Sequence, residues 1–195
     1  MKIDWNSVKE QTLWGYEDLI KKLQGVVAYD FVQEHYNPTM KQAQGYAKKL
    51  RWGLPFKTPL REFIDTDNVG DARHLDALKK QKIGSNLDLL EAGRTKAGQV
   101  QLSRTTEIPL AFVDTLVHKA DISRLAYVRG KTVKYLCGGG YDSLEKIATA
   151  NLPEMEEKMD AYYRTLGKSL ADFRSVIPLS WMIGGAKILP RVVKA

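Results

Sequence analysis

Five residues in "RLAYVRGKTVKYLCGGGYDSLEKIA", Arg124 to Ala148, have the chemistry to hold a phosphate: Arg129, Gly130, Lys131, Thr132 and Lys134. A phosphate oxygen wants cations and unpaired N–H donors. A helix that begins here offers both, because its first N–H groups lack intrahelical partners and its N-terminus carries partial positive charge. Glycine lets another group approach the backbone closely. Lys131 and Thr132 would supply N–H groups, with Thr132 a candidate cap, and Arg124, Arg129 and Lys134 would add charge nearby. The competing expectation is that Gly130 only turns the chain between packed helices.

Two other stretches invite the same question. "NVGDAR", Asn68 to Arg73, sets Asp71 beside Gly70, with Asp65 and Asp67 just ahead. Three carboxylates repel phosphate and Arg73 offsets them only in part, so this turn is expected to be structural. "YAKKLRWGLPFK", Tyr46 to Lys57, interleaves Lys48, Lys49, Arg51 and Lys57 with Trp52 and Phe56. That mixture suits single-stranded nucleic acid through stacking and phosphate contact. The plainer expectation is that both rings pack inward and the lysines form a solvated face. "KKQK", Lys79 to Lys82, suits a helix C-terminus.

Catalytic chemistry has little to start from. His35, His74 and His118 lie far apart with no metal-ligand spacing. No HExxH, GxSxG or P-loop pattern occurs. Gly138 to Gly140 are not followed by GK[ST], and are expected to act as a flexible link. Cys137 has no flanking base and reads as a buried, inert thiol. Glu154, Glu156 and Glu157 fit the first turn of a helix, where the macrodipole favours carboxylates. The expectation is a protein that is not an enzyme and needs no cofactor or metal.

These residues sit in a chain of 195, long enough for one domain or two small ones. Hydrophobic residues make up 44% and charged residues 27%, as in ordinary globular proteins. The net charge of +7 favours polyanions, and equally serves as a solubilising surface. A single cysteine excludes an internal disulfide and a cysteine zinc cluster, and fits a reducing compartment. "MKIDWNSVKEQ" is too polar for a secretory leader. "VIPLSWMIGGAKIL", Val176 to Leu189, falls short of the ~20 apolar residues that a bilayer requires. No membrane association and a cytoplasmic location are therefore expected.

The pattern predicts an all-α fold of many short helices. No run alternates long enough for a strand. "SVKE", Ser7 to Glu10, has capping-box spacing, followed by Leu19, Ile20, Leu23, Val27 and Phe31 on one helical face. Pro38 and Gly53 bracket a second helix, and Pro59 starts a short one. Asn86 is expected to cap "NLDLLEAG" and Gly93 to stop it. Leu152, Met155, Met159, Tyr162, Tyr163 and Leu166 form an apolar stripe. An internal repeat pairs Asn68–Leu90 with Tyr127–Ile147. In it Val69 meets Val128, Leu78 meets Leu136, Ile83 meets Tyr141, Leu87 meets Leu144 and Leu90 meets Ile147, with one-residue slips at the hairpin and before the last helix.

The repeated unit resembles the helix–hairpin–helix motif. "LLEAGRTKAG", "HKADISRL" and "GYDSLEKIA" make the region from about Leu60 to Gly167 similar to a tandem helix–hairpin–helix family catalogued as a domain of unknown function. The resemblance implies tandem hairpin units and no defined activity. In DNA-binding members of the motif, the hairpin N–H groups and the next helix's N-terminus face a phosphate, positioning without reading sequence. "VRGKT" departs from them in carrying one glycine where they carry two around an apolar residue. Asp142 follows the second hairpin too closely to match the catalytic residue of a helix–hairpin–helix glycosylase. The division expected is residues 1–59 as N-terminal helices, 60–167 as the tandem domain and 168–195 as a helical extension. The functional expectation is largely sequence-independent DNA binding. The alternative is a protein-interaction or scaffold module whose surface is the apolar Trp181, Met182, Ile183, Gly184 and Gly185, should that segment be exposed.

Overall fold

The computed structural model describes residues 2–23, 57–126, 128–169 and 179–194. The described residues form nine α-helices and no strand: α1 (Trp5–Leu23), α2 (Val69–Lys80), α3 (Asn86–Gly93), α4 (Lys96–Thr106), α5 (Leu110–Ile122), α6 (Gly130–Gly138), α7 (Leu144–Ala148), α8 (Leu152–Thr165) and α9 (Leu179–Ile188). The all-α expectation holds. The helix expected between Pro38 and Gly53, the basic stretch up to Phe56, and Tyr127 lie outside the described residues.

Helix starts follow local side-chain chemistry, sometimes one step from the expected residue. Asp4, not Ser7, opens α1: its Oδ1 accepts from the Asn6 and Ser7 N–H groups, both at 3.1 Å. Ser85, not Asn86, caps α3 by accepting from the Asp88 N–H. Asn86 is instead fully buried, where its Oδ1 accepts from the Thr58 N–H (2.8 Å) and its Nδ2 donates to Ser123 Oγ (2.8 Å). A buried amide left unpaired would cost ~1–3 kcal/mol, so these bonds fix three chain segments together. Thr95, Ser143 and Asn151 cap α4, α7 and α8 in the ordinary way. Pro59 begins only a single 3₁₀ turn, Leu60–Glu62.

The core is continuous. α3 packs on α4 and α5, α6 touches α5 and α8, and α9 lies on α1, α7 and α8. Met182, Ile183 and Ala186 of α9, and Leu189 just after it, are buried among them, so the apolar C-terminal segment is spent inside the chain; Trp181 and Gly184 are half-buried. Met155, Met159 and Tyr163 form the buried part of the α8 stripe, while Leu166 is exposed.

A constant shift of 58 positions relates α2–α3 to α6–α7. Leu75 and Val133, Leu78 and Leu136, Ile83 and Tyr141, Leu89 and Ile147, and Leu90 and Ala148 are all buried pairs. The loops match in detail. The Ile83 N–H donates to Leu78 O (3.0 Å) and the Tyr141 N–H to Leu136 O (2.8 Å). Lys82 and Gly140 both take positive φ, 62° and 90°. The serine caps, Ser85 and Ser143, also correspond. No slip precedes the last helix, which corrects the expected pairing of Leu87 with Leu144 and Leu90 with Ile147. The glycine run is not a loose link either. A side chain at Gly138 would meet the Tyr162 ring, and one at Gly139 would meet Met159 Sδ. Their bareness lets α6 close on α8.

Candidate anion-binding site at the start of helix α6

α6 begins with Arg129 as its N-cap residue, in extended backbone with φ −127° and ψ 179°. Its carbonyl accepts from the Val133 N–H (2.9 Å), and no side chain of its own caps the turn. Thr132 therefore lies inside the first turn, not at the cap. The first turn holds no acidic residue. Lys131 and Lys134 are exposed, three positions apart and hence on one face. Among the described residues neither pairs with a carboxylate. Four lysines elsewhere do: Lys79 with Asp76, Lys96 with Asp114, Lys146 with Asp142 and Lys158 with Glu154. Arg129 is exposed beside them.

Gly130 has a tighter part than a bare turn. It is buried, and its N–H donates to Glu62 Oε2 at 3.3 Å. A Cβ here would overlap the Glu62 carbonyl oxygen and lie 2.9 Å from its carbonyl carbon. The glycine thus admits the backbone of the 3₁₀ turn, and a carboxylate of the same chain sits on the first free donor of α6. The N–H groups of Lys131 and Thr132 follow it in the turn.

Arg124, expected to add charge, does not face this site. It is among the largest fully buried side chains. Its Nε donates to Asp121 Oδ1 (2.7 Å), and an Nη lies 2.6 Å from the same carboxylate and 2.9 Å from Pro190 O. The pair ties the C-terminal segment to the end of α5. Asp121, three residues earlier and between Ala120 and Ile122, is the sequence signal that marks a partner.

Two residues that sequence reasoning missed belong to the cluster. Tyr135, half-buried on α6, has Lys131 Nζ 5.9 Å and Lys168 Nζ 5.3 Å from its ring centroid. Lys168 Nζ also donates to the Tyr135 hydroxyl at 2.9 Å. That hydrogen bond, and the charges of Lys131, Lys168 and Lys134, hold the phenol below its usual range. The ring also meets Tyr163, with centroids 4.9 Å apart. Lys168 follows the end of α8, where Gly167 takes φ 65° and the Lys168 N–H returns to Tyr163 O.

The start of α2 is built differently. The Asn68 side chain accepts from the Gly70 (2.9 Å) and Asp71 (3.3 Å) N–H groups, closing that helix end with its own neighbour. Asp65 and Asp67 are exposed just before it, and Asp71 stands in its first turn. Lys57, the described end of the other basic stretch, is exposed.

Elsewhere the described residues offer little reactive chemistry. They hold no group of three His, Cys, Asp or Glu suited to a metal. Cys137 is half-buried, and that burial pushes its thiol up, away from the reactive thiolate. No described helix is long and apolar enough to cross a membrane.

No curated protein and no solved structure gives a match to the chain. One family does, that described as a domain of unknown function (DUF4332), over residues 70–177, which is more than half of the chain and includes α2 to α8 apart from the first residue of α2. By that span the protein belongs to the DUF4332 family.

Proposed function

We propose that the protein binds the phosphate backbone of nucleic acid, DNA in the first place, through the start of α6, largely without regard to sequence. Arg129, Lys131 and Lys134 supply charge, and the N–H groups of Lys131 and Thr132 supply donors. Gly130 gives the close backbone approach, its own N–H becoming available where Glu62 releases it. In this reading α6 is the second helix of a helix–hairpin–helix unit and the matching α2 is its structural counterpart. The observation that carries it is the pair of exposed lysines on one face of a helix start whose N-cap residue gives no side-chain cap and whose first turn holds no acidic residue. Backbone contacts of this kind give non-specific dissociation constants of roughly 10⁻⁴ to 10⁻⁶ M at physiological salt.

The test is fluorescence anisotropy with labelled single-stranded, duplex and branched DNA, from low to physiological salt. The expected result is salt-steep binding that the double variant Arg129→Glu, Lys131→Glu loses while its circular dichroism stays that of the parent. Absence of binding at low salt would sink the proposal. The alternative of a scaffold module has lost its best surface, since Met182, Ile183 and Gly185 are buried in the core.

A further inference from the structure

We infer that Lys168, held in place by Tyr135, is a third phosphate-binding cation, so that the nucleic-acid site has two walls, α6 and the end of α8. The inference rests on the nucleic-acid reading above and names residues outside the hairpin.

Lys131 and Lys168 approach one ring, and Lys134 lies a turn along α6 from Lys131. Ammonium groups gathered this way repel one another, modestly in water and more where protein lowers the effective dielectric. The Tyr135 ring attracts the Lys131 ammonium, which offsets some of that cost. The phenol oxygen, accepting from Lys168 at 2.9 Å, fixes a side chain that would otherwise sample many rotamers. Tyr163 packs on the same ring and keeps it from swinging away. The arrangement stores positive charge, already oriented, beside donors at a helix start. An arriving phosphodiester relieves the repulsion and meets a cation that needs no further ordering. The lowered Tyr135 pKa reports the same local field. Lys168 is far from α6 in sequence, so only the closure of α6 on α8 through Gly138 and Gly139 brings the two walls together.

The salt dependence of binding counts the phosphates involved. Each phosphate contact contributes a slope of about −0.9 in log K against log salt on duplex DNA and about −0.7 on a single strand. Anisotropy titrations with a fluorescein-labelled duplex and its single strand would compare the full chain with Lys168→Ala, Tyr135→Phe and the double variant. Lys168→Ala is expected to weaken binding several-fold and to flatten the duplex slope by about 0.9. Tyr135→Phe keeps the ring and loses the hydroxyl, so it should weaken binding less and add nothing in the Lys168→Ala background. An unchanged constant and slope for Lys168→Ala, in a protein that still loses binding with Arg129→Glu, Lys131→Glu, would overturn the inference and leave the α6 site standing. Additive losses from Tyr135→Phe and Lys168→Ala would overturn the positioning role of Tyr135. Failure of the parent chain to bind either DNA at low salt would remove both readings together.

Discussion

From Leu75 to Leu90 and from Val133 to Ala148 the chain does nearly the same thing twice. Ahead of those stretches it does two different things. The shared part buries the same positions and closes its loop with the same backbone bond. The divergent part is the helix start. α2 begins at Val69, whereas Gly130 of α6 falls opposite Ala72, three residues inside α2. Gly70 and Gly130 are therefore not equivalent, and Val69 is 68% exposed where Val128 is fully buried. α2 is sealed by Asn68 and ringed by carboxylates. α6 is met by a distant glutamate and bordered by cations. A common scaffold sets the helices in place. In the proposed reading, the variable entrance decides whether an anion is attracted or repelled.

The sharpest way to break the comparison is at the turn leading into each first helix. The same shift of 58 sets Ile64 opposite Ile122, both buried, and Phe63 opposite Asp121. Where the first unit has an apolar ring, the second has an ion pair whose arginine also holds Pro190 O. Arg124→Ala leaves a buried carboxylate and frees the tail, and is expected to cost ~3–5 kcal/mol in urea denaturation. A double variant Asp121→Leu, Arg124→Met should recover part of that loss, because paired removal leaves no lone charge. A cost below ~1 kcal/mol for Arg124→Ala would mean that the pair does not anchor the second unit.

The next effect separates the two glycines. A methyl at Gly130 collides with the Glu62 backbone, which cannot rotate aside. Gly130→Ala is expected to destabilise by ~1–3 kcal/mol, as overpacking does. At Gly70 the added methyl meets only Asn68 Oδ1 at 3.2 Å, and alanine is the better helix former. Gly70→Ala should change stability by less than ~1 kcal/mol in the same measurement. Equal costs at the two sites would restore the equivalence that the register denies.

Much of this was legible in the sequence. The all-α class and many core positions follow from period and caps, and Leu78 with Leu136 and Ile83 with Tyr141 align without coordinates. The final-helix register was not, because an amphipathic pattern with apolar residues every three or four positions fits its neighbour nearly as well after a one-residue slip. The two serine caps settle it. The site was legible only on its near side. Arg129, Lys131, Thr132 and Lys134 fall within six residues, but Glu62 and Lys168 reach α6 from 68 and 33 residues away. Arg124 was misjudged because charge in a sequence says nothing of burial until its partner is placed.

The smallest effect concerns that distant glutamate. Glu62 is exposed and bonds the Gly130 N–H at 3.3 Å, a long contact for a charge-assisted bond. It contributes little stability, since exposed charged contacts are worth ~0–1 kcal/mol. For an incoming phosphate it acts twice, by holding a donor and by adding a like charge. Glu62→Gln keeps the size and the acceptor and removes the charge. It should leave the urea midpoint nearly unchanged and tighten DNA binding a few-fold at low salt, with the gain shrinking as salt rises, since screening weakens the repulsion it removes. The corresponding neutralisation at the first unit, Asp71→Asn, should leave binding unaffected if α2 takes no part. Tighter binding from Asp71→Asn, or none from Glu62→Gln, would shift the grip away from α6 and toward the overall charge of the chain.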